Sequence, residues 1–432
     1  MAILPFRPLS NPDNIIAAID IGASKTVCVI AKRVASGGHD TEEIDVVGFG
    51  QVGVSARETR ADAKRAAAGA VAAAVEAAER MAKIRLRRAV VSINGKRLRS
   101  KRVGVDLNLA GAAVSTEDVV DCLHAGANFA RRSGDEIIHT LPIGFTLDGE
   151  NVGANPCGLI GEKLTAQVVC LSVSEGQAAN LRNVLEAHDI TIDRLVAGPY
   201  AAASAVLSED EKELGVLMID IGARTSGFAV FEGGALIKAG GVGVGGEHVT
   251  RDLAHVFGCS VAHAERVKAL HGSMLSSDMD EHRLIDFPQL NEAGENLSVS
   301  RGEVTSVITP RIEELFSLVL REAISDQSAG SGAAAGLRRV VLTGGGSQLG
   351  GMCEAAERIF SMRARIGRPH GLRHAPEVSA APGFSACIGA LVSTYQKRLD
   401  EPREQGDFRI VNEANGTSGF MSGVAHWLKV NF

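Results

Sequence analysis

A short pattern occurs twice in this sequence, far apart in the chain, and it limits the possible folds more than any other feature. It spans residues 15–31 and 214–231, and each copy consists of an apolar run, Asp-Ile-Gly, a short polar turn and a second apolar run. Three positions coincide when the copies are superimposed: Asp20 with Asp220, Gly22 with Gly222 and Ala23 with Ala223. Two β-branched runs around a Gly-containing turn predict a β-hairpin. Since solenoid repeats recur at roughly 20–50 residues, two distant copies predict two similar domains instead.

The turn of each hairpin has the composition of a phosphate-binding site. Its glycine allows the backbone to bend tightly and to bring N–H groups close to an anion. The aspartates at the strand ends, Asp20 and Asp220, are expected to hold a hydrated Mg²⁺ rather than the phosphate itself. The other predicted contacts to a phosphorylated ligand in the two turns are Gly22, Ala23, Ser24, Lys25, Thr26, Gly222, Ala223 and Thr225. An ordinary hairpin turn is the alternative for one copy, and the second copy with matching flanks argues against it.

A third element follows late in the chain. Residues 338–352 form an apolar run, then Gly344, Gly345, Gly346 and Ser347, and then the start of a predicted helix. A glycine triplet there permits the close approach of a flat ligand, and the amide groups of the helix N-terminus lie beyond it. After two Asp-Ile-Gly hairpins, this motif resembles the actin-like ATPase superfamily. The resemblance implies an α/β fold with two RNase H-like cores around ATP and Mg²⁺, in which the hairpins bind the phosphates and the glycine triplet binds adenosine.

Length and composition limit the number of domains and the classes of function that this chain can have. A chain of 432 residues with 45 % apolar residues is expected to form roughly two to four domains of ordinary α/β type. The net charge of −6 argues against generic nucleic-acid binding. The seven cysteines include no Cys-x-x-Cys pair, so buried thiols in a reducing cytoplasm are expected. We find no secretory signal peptide and no apolar run of the roughly 18 residues that a transmembrane helix needs.

The region between the hairpins departs from a plain actin-like pattern. Strands are predicted on both sides of Asn94-Gly95, a dipeptide typical of a two-residue hairpin turn. They open an inserted segment, residues 86–165, in which we identify no catalytic constellation. Two helices of small residues, at 196–211 and 381–397, are interpreted through the resemblance as hinge helices that cross between the two cores.

The segment after the second hairpin is predicted to complete the nucleotide site. Gly246 opens a helix, and Glu265 and Lys268 follow at a spacing of i, i+3, which places them on one helix face. The resemblance to this superfamily implies that a Glu-x-x-Lys pair at this place reaches the ribose and the base of the nucleotide. The alternative is that the two residues form an exposed ion pair, which contributes little to stability. Farther along, Pro310 predicts a break that separates two helices.

The C-terminal end carries the most distinctive local pattern after the hairpins. A charged, turn-rich linker is predicted over residues 398–419, and a short amphipathic helix over 420–432. Its predicted membrane-facing residues are Phe420, Met421, Val424, Trp427 and Leu428, with Lys429 beside them. We interpret this helix as an anchor in a lipid interface, where each basic residue adds only about 1 kcal/mol of attraction to anionic lipid. Stable attachment then needs several copies on one polymer, and a core-facing helix is the alternative.

Together these features resemble FtsA, the actin-like membrane tether of bacterial cell division. The resemblance rests on both hairpins, the glycine motif, the insertion and the tail, and it covers about residues 14–397 plus the tail. It implies an ATP-binding protein that polymerises into filaments, anchors FtsZ to the inner face of the cytoplasmic membrane at the division septum and helps to recruit later divisome proteins. The C-terminal peptide of FtsZ is then expected on the small fourth subdomain, where Arg301 and Arg311 are the candidate contacts. Solvated helix arginines are the alternative for these two residues.

The same resemblance divides the chain into subdomains. They are 1A at residues 14–85, 166–198 and 381–397, the inserted 1C at 86–165, 2A at 199–245 and 311–380, and 2B at 246–310, followed by the linker 398–419 and the membrane-targeting helix 420–432. The 1C subdomain sits where other actin-like proteins carry a different subdomain.

Two departures from the family pattern affect the nucleotide site. The second turn reads Gly222-Ala223-Arg224-Thr225, where the family more often has further glycines, so phosphate contact there is expected to rest on Gly222 and Thr225. In the first hinge helix, Ser204 occupies the position at which actin has a glutamine that positions the attacking water. A serine is too short to orient water in the same way. We therefore expect tight ATP binding and slow or negligible hydrolysis.

Other members of the superfamily fit the sequence less well. A sugar or acetate kinase needs a catalytic Asp base facing a substrate pocket and has no use for a tethered Trp helix. A DnaK-like chaperone needs a substrate domain after the ATPase, and an MreB-like protein lacks the insertion. The nearest alternative is a PilM-like adaptor of type IV pilus assembly, which binds a short peptide from a membrane partner. The predicted helix at 420–432 argues against that adaptor.

Overall fold

The computed structural model describes residues 15–35, 42–54, 60–290, 296–324, 336–395 and 408–411. The strands are β1 Ile15–Ile21, β2 Lys25–Ala35, β3 Glu42–Gly53, β4 Arg88–Ile93, β5 Arg99–Asn108, β6 Asp135–Leu147, β7 Glu150–Gly153, β8 Lys163–Ser174, β9 Thr191–Ala197, β10 Val216–Ile221, β11 Ser226–Glu232, β12 Ala235–Val242, β13 Leu284–Pro288, β14 Asn296–Ser300, β15 Arg339–Thr343, β16 Arg363–Ile366, β17 Leu372–Arg373 and β18 Phe408–Val411. The helices are α1 Arg60–Ala82, α2 Thr116–Ala130, α3 Glu175–Glu186, α4 Gly198–Val206, α5 Glu209–Leu214, α6 Gly246–Val256, α7 Val261–His271, α8 Arg301–Ile324, α9 Met352–Phe360 and α10 Ser385–Tyr395.

Two of the sheets repeat one arrangement. The first, in the order β17-β3-β2-β1-β4-β9, contains the first hairpin: β1 pairs antiparallel with β2, with Ile21 opposite Thr26, and parallel with β4. The second, in the order β12-β11-β10-β15-β16, pairs β10 antiparallel with β11, with Ile221 opposite Ser226, and parallel with β15. The predicted duplication of the hairpin is confirmed, and it extends to the parallel strand beside each hairpin.

Three apolar clusters hold the sheets together. The largest combines the first sheet and the small-residue helices with one face of the second sheet, which contributes Val216 and Met218. The second packs the other face of β10, through Leu217 and Ile219, against α6 to α9. A central strand buried on both faces is expected to be apolar at every position, as β10 is until Asp220. The third cluster belongs to the inserted sheet.

The two small-residue helices, α4 and α10, cross in close contact. A β-carbon on Gly389 of α10 would stand 1.6 Å from the carbonyl oxygen of Ala201 in α4, so a side chain cannot be placed there. This contact explains why both helices consist of small residues. The crossing pair predicted from the sequence is present, over shorter ranges than the predicted 196–211 and 381–397.

The inserted sheet, in the order β18-β5-β8-β6-β7, shows that the predicted hairpin at Asn94-Gly95 is wrong. β4 and β5 lie in different sheets, because β4 is already paired on both edges, by β1 and by β9. The predicted limits of the insertion, 86–165, are corrected for the same reason. Arg88–Ile93 belongs to the first sheet, whereas the whole of Lys163–Ser174 belongs to the inserted sheet. The rest of the subdomain division stays a prediction.

The predicted linker over residues 398–419 contains a strand. β18 pairs antiparallel with β5, with Ile410 opposite Val105, and covers the edge that β5 would otherwise leave open. The remainder of this segment and the whole of the predicted helix at 420–432 lie outside the described residues. Within the described ranges, no helix is both long enough and apolar enough to cross a lipid bilayer.

Residues 301–324 form the single helix α8, so the predicted break at Pro310 is wrong. A proline removes one backbone donor and costs about 3 kcal/mol in a helix interior. α8 buries an apolar stripe on both sides of this proline, including Val304, Ile312 and Phe316. Burial of such side chains contributes about 1.5–3 kcal/mol each, so packing outweighs the lost hydrogen bond. The predicted boundary between subdomains 2B and 2A also falls inside this helix.

Candidate functional site

Asp20 and Asp220 lie near the carboxyl ends of β1 and β10, at equivalent positions of the two sheets. Asp20 is next to Ser92 of the parallel strand β4 and accepts a hydrogen bond from its hydroxyl. Asp220 is next to Thr343 of β15. A β-carbon on the following residue, Gly344, would stand 2.3 Å from Asp220 Oδ1. Each hairpin therefore presents its carboxylate at the point where the neighbouring parallel strand ends.

Both carboxyl groups lie in an unfavourable environment for a negative charge. Burial raises the pKa of Asp220 to about 7, with a further rise from the charge of Asp20 and an opposing effect of Lys25. Burial also raises the pKa of Asp20, while the Ser92 hydroxyl and the Lys25 ammonium lower it. The two carboxylates thus act on each other through space, and a bound cation would offset their repulsion.

Lys25 brings a positive charge to the same place. Its Nζ lies 3.5 Å from the centre of the Phe384 ring, which is a cation–π contact. Burial lowers the pKa of Lys25, and the charge of Asp20 opposes this change. A β-carbon on Gly383 would approach Lys25 Nζ to 2.7 Å and the Cα of Gly345 to 3.6 Å. The lysine side chain therefore joins the first hairpin to the glycine triplet of the second core.

The two polar turns share one backbone geometry. The Gly22 N–H donates to the Lys25 carbonyl at 2.9 Å, and the Gly222 N–H donates to the Thr225 carbonyl at 3.1 Å. A β-carbon on either glycine would approach the same carbonyl to 2.8 Å or 2.7 Å. Both glycines are therefore required by the closed turn itself. Ala23, Ser24, Ala223 and Thr225 are partly or fully exposed on these turns.

The second turn packs on the start of α6. The Gly246 N–H donates to the Gly222 carbonyl at 2.9 Å, and the Glu247 N–H donates to the Ala223 carbonyl at 2.7 Å. The first amide groups of this helix are therefore satisfied within the protein. Arg224, which interrupts the glycine-rich family pattern, donates from Nε to Glu247 at 2.6 Å. Its guanidinium is thus held by α6.

Glu265 and Lys268 lie on α7 beside the same helix start. Lys268 Nζ donates to the Gly246 carbonyl at 3.0 Å, to Glu265 Oε2 at 2.6 Å and to Thr250 Oγ1 at 2.8 Å. The lysine side chain is only 16 % exposed, whereas the glutamate side chain is 56 % exposed. The structure therefore brings Gly246, Glu265 and Lys268 together, with the carboxylate accessible to a ligand.

The glycine triplet leads from β15 into a short 3₁₀ turn, Gly345–Gln348. Gly344 has a φ of 83°, in the left-handed region that favours glycine. Apart from Gly345 itself and its two chain neighbours, no atom of the described residues lies within 4 Å of the place where a β-carbon on Gly345 would stand. A flat ligand can therefore approach the backbone at Gly345. The buried Ser347 hydroxyl donates to the Gly344 carbonyl at 2.7 Å and stabilises this loop. A β-carbon on Gly346 would collide with Ile221.

The donor set fits a hydrated magnesium ion. The described residues contain no group of three or more His, Cys, Asp or Glu side chains that could enclose a metal. Mg²⁺ in nucleotide sites needs fewer protein ligands, because it keeps several waters and is bound by one or two carboxylates together with the phosphates. The buried Thr26 hydroxyl, on the residue opposite Ile21, has no hydrogen-bond partner in the part of the chain that is described. This hydroxyl lies on the face of the hairpin that carries Ile21, opposite to the face of Asp20, so it is not part of the donor set.

Sequence reasoning missed three residues of this site: Ser92, Thr250 and Phe384. Ser92 could have been found, since a polar residue near the end of the apolar run of β4 is a signal for the carboxyl edge of a sheet. Thr250 and Phe384 carry no such pattern. Their contacts with Lys268 and Lys25 join segments that are distant in the chain.

Arg301 and Arg311, the predicted contacts for a partner peptide, are both paired within the protein. Arg301 Nη1 donates to Asp280 at 2.7 Å, and its Nε donates to the His271 carbonyl at 3.0 Å. Arg311 binds both oxygens of Asp252, at 2.6 Å and 2.9 Å. Each guanidinium is therefore engaged in packing α8 against its neighbours.

Comparison with known proteins agrees with this geometry. A family model described as "Cell division protein FtsA" matches residues 217–389, and one described as "SHS2 domain inserted in FTSA" matches residues 95–172, close to the limits of the inserted sheet. The cell division protein FtsA of Rhizobium meliloti (strain 1021) is 33 % identical over 435 residues, which cover 99 % of this chain and 97 % of that protein. The protein of the same name from Escherichia coli (strain K12) is 26 % identical over 434 residues, which cover 97 % of this chain and 98 % of that protein.

Solved structures share the fold. A chain of the PilM-PilN type IV pilus biogenesis complex covers 87 % of this chain and 97 % of its own length, with a TM-score of 0.58 and 16 % identity. MreB5 of Spiroplasma citri bound to ADP covers 89 % of this chain and 96 % of its own length, with a TM-score of 0.52 and 14 % identity. The predicted actin-like ATPase fold with an FtsA-type insertion is confirmed.

Proposed function

Because this chain belongs to the FtsA family of cell division proteins, we propose that it binds ATP with Mg²⁺, assembles with further copies of itself and holds FtsZ filaments at the cytoplasmic membrane of the division septum. One observation carries the nucleotide part of this proposal. Asp20 and Asp220 are partly buried carboxylates from the two duplicated hairpins, and the charge of Asp20 raises the cost of ionising Asp220. A bound divalent cation offsets that cost, and the phosphates of a nucleotide complete its oxygen ligands.

Each part of the site has a role in this proposal. Asp20 and Asp220 hold Mg²⁺, which neutralises charge on the phosphates. The two turns and Lys25 hold the phosphates themselves. The open space at Gly345 takes the adenine, and the exposed carboxylate of Glu265 takes the ribose. The shared fold of MreB5 of Spiroplasma citri, which was solved bound to ADP, supports a nucleotide as the ligand.

We expect hydrolysis of bound ATP to be slow. Ser204 Oγ donates to the Tyr200 carbonyl at 3.0 Å within α4, so this hydroxyl is engaged in its own helix. A group that orients the attacking water must lie within hydrogen-bond reach of it. The measurement is phosphate release by purified protein under polymer-forming conditions. Ser204→Ala is the matched control, and we expect it to release phosphate at the same low rate as the wild type. Sustained release of several phosphates per chain each minute would contradict the expectation.

The membrane part rests on the sequence pattern at 420–432. Liposome co-sedimentation with ATP compares the full-length chain with one that ends at Gly419. We expect the full-length chain to pellet with liposomes and the shorter one to stay in the supernatant. Trp427→Glu keeps the length of the chain, and we expect it to pellet poorly because it places a charge on the apolar face.

Equal pelleting of both chains, or of neither, would contradict the anchor. A PilM-like adaptor, which reaches the membrane through a peptide of its partner, would then be the better interpretation.

For the C-terminal peptide of FtsZ, we propose residues 246–310 as the docking surface. Arg301 and Arg311 shape that surface through their internal ion pairs. Recruitment of other divisome proteins is part of the same proposal.

A further inference from the structure

A cavity of about 570 Å³ lies along the edge of the second sheet that β16 forms, and its lining reaches from the amino ends of β10 and β15 to the residues just after β16. Its lining includes Gly215 and Arg339, at the amino ends of β10 and β15. The carboxyl ends of the same two strands carry Asp220 and Thr343. None of the described residues that line the cavity belongs to the nucleotide site, so the cavity is a different site from the nucleotide cleft.

The lining of this cavity is strongly basic. It includes five arginines, Arg338, Arg339, Arg363, Arg365 and Arg368, which we call the arginine pocket. Two acidic side chains, those of residues 210 and 211, face the same space. Five positive charges minus two negative charges leave three in excess, in a chain whose formal net charge is −6. The local charge therefore opposes that of the whole protein, which is a feature of sites that attract anions.

Glu211 organises one side of the arginine pocket. Its side chain is 10 % exposed and accepts hydrogen bonds from Arg365 Nε at 2.7 Å, Arg365 Nη2 at 2.5 Å and Arg339 Nη1 at 3.1 Å. Burial raises the pKa of Glu211, but the hydrogen bonds from Arg365 and Ser208 outweigh it and hold the pKa at about 2. Arg365 also donates to the Val206 carbonyl at 2.9 Å, at the end of α4. These two arginines are thus fixed in place by the protein.

The other three arginines have no partner for their side chains within the described part of the chain. The side chains of Arg338, Arg363 and Arg368 make no hydrogen bond and no ion pair with any described residue. Arg338 and Arg363 lie at the starts of the adjacent parallel strands β15 and β16. Arg368 lies beyond the other end of β16, about 16 Å of extended chain from Arg363. Guanidinium groups that lie before and after one edge strand suit several carboxylates in a row better than one small anion.

We propose that the arginine pocket binds an acidic peptide segment of a protein partner. Carboxylates spaced along the segment pair with Arg338, Arg363 and Arg368, while Arg339 and Arg365 stay on Glu211 and shape the floor. Arginine suits this role because its planar fork binds carboxylates in a bidentate manner. This site is separate from the nucleotide cleft, so it stands or fails independently of the function proposed above.

The test uses full-length protein and a fluorescein-labelled hexaglutamate peptide, with binding followed by fluorescence anisotropy at low and moderate salt. We expect Arg363→Glu/Arg368→Glu to weaken binding by at least about tenfold, because two charge-assisted contacts become repulsive. Arg132→Glu/Arg321→Glu makes the same charge change at two exposed arginines outside the pocket and is expected to bind as the wild type does. Circular dichroism spectra and chemical unfolding curves that match the wild type show that both variants are folded.

Any of the following results would overturn the proposal. One is that the pocket variant binds the peptide as well as the wild type does. Another is that the control variant loses as much binding as the pocket variant, since long-range charge would then explain the loss. A third is binding of tripolyphosphate but not of hexaglutamate, which assigns the pocket to a phosphate-bearing ligand. If the charge reversal prevents folding, Arg363→Gln/Arg368→Gln removes the same contacts without repulsion, and unchanged peptide binding by that variant also overturns the proposal.

Discussion

Asp220→Asn is expected to unfold less readily than the wild-type protein at pH 8 when nucleotide and Mg²⁺ are absent. The pKa of Asp220 is raised from 3.8 to about 7 in the folded chain. The folded state therefore binds more protons than the unfolded state between these values, and stability falls as pH rises through this interval. The loss amounts to at most about 4 kcal/mol, because one pKa unit corresponds to about 1.4 kcal/mol. An uncharged Asn of the same shape avoids it.

The same substitution is expected to weaken binding of Mg-ATP. Loss of one of two carboxylates should cost at least the roughly 10–100-fold that removal of an outer-shell partner costs a metal site. We therefore expect Asp220→Asn to be more stable than the wild type without ligand and to bind Mg-ATP more weakly. Replacement of an aspartate with a purely structural role would not produce both effects.

The measurements are chemical unfolding in EDTA at pH 5 and pH 8, and calorimetric titration with Mg-ATP. We expect the difference between the variant and the wild type to be largest at pH 8 and less than half as large at pH 5, because most of the interval between the two pKa values lies above pH 5. Asp278→Asn, at an exposed aspartate, is the matched control and is expected to change neither quantity. An Asp220→Asn variant that is less stable at pH 8 and binds Mg-ATP normally would contradict the assignment.

Gly344→Ala is expected to be the most damaging single methyl addition in the glycine motif. Its β-carbon would stand 2.3 Å from Asp220 Oδ1 and 2.6 Å from the Ile221 backbone, at a φ of 83°. A non-glycine residue in such a conformation costs about 1–3 kcal/mol even without a collision. The loop must move, and Asp220 must move with it. Both stability and ATP affinity are expected to fall.

Gly345→Ala provides a matched comparison one residue away. Apart from its two chain neighbours, its β-carbon meets no described atom within 4 Å, so unfolding of the ligand-free protein should change by no more than about 0.5 kcal/mol. ATP affinity is nevertheless expected to fall about tenfold, since a methyl group in a packed contact costs roughly 1–3 kcal/mol. Unfolding curves and ATP titrations of both variants separate the two effects. Normal ATP affinity in Gly345→Ala would place the adenine elsewhere.

Local sequence patterns were sufficient to predict the elements that form the candidate nucleotide site. The duplicated Asp-Ile-Gly hairpins, the glycine triplet and the two small-residue helices lie within short windows, where turn chemistry and periodicity act between neighbours. The predictions that failed involve competition with distant segments. Asn94-Gly95 favours a hairpin, but β9 and β1 already occupy both edges of β4. Pro310 disfavours helix, but the buried stripe of α8 continues past it.

The sequence by itself determined that two equivalent aspartates end two equivalent hairpins, because strand alternation and a glycine turn are local properties. Tertiary structure alone decided that Asp20 and Asp220 share one partly buried site, that Phe384 lies under Lys25 and that five arginines line one pocket. The physical reason is that pKa shifts, ion pairs and pockets depend on distances between atoms whose residues are far apart in the chain. Those distances are set by the packing of the whole core rather than by the preferences of any one segment.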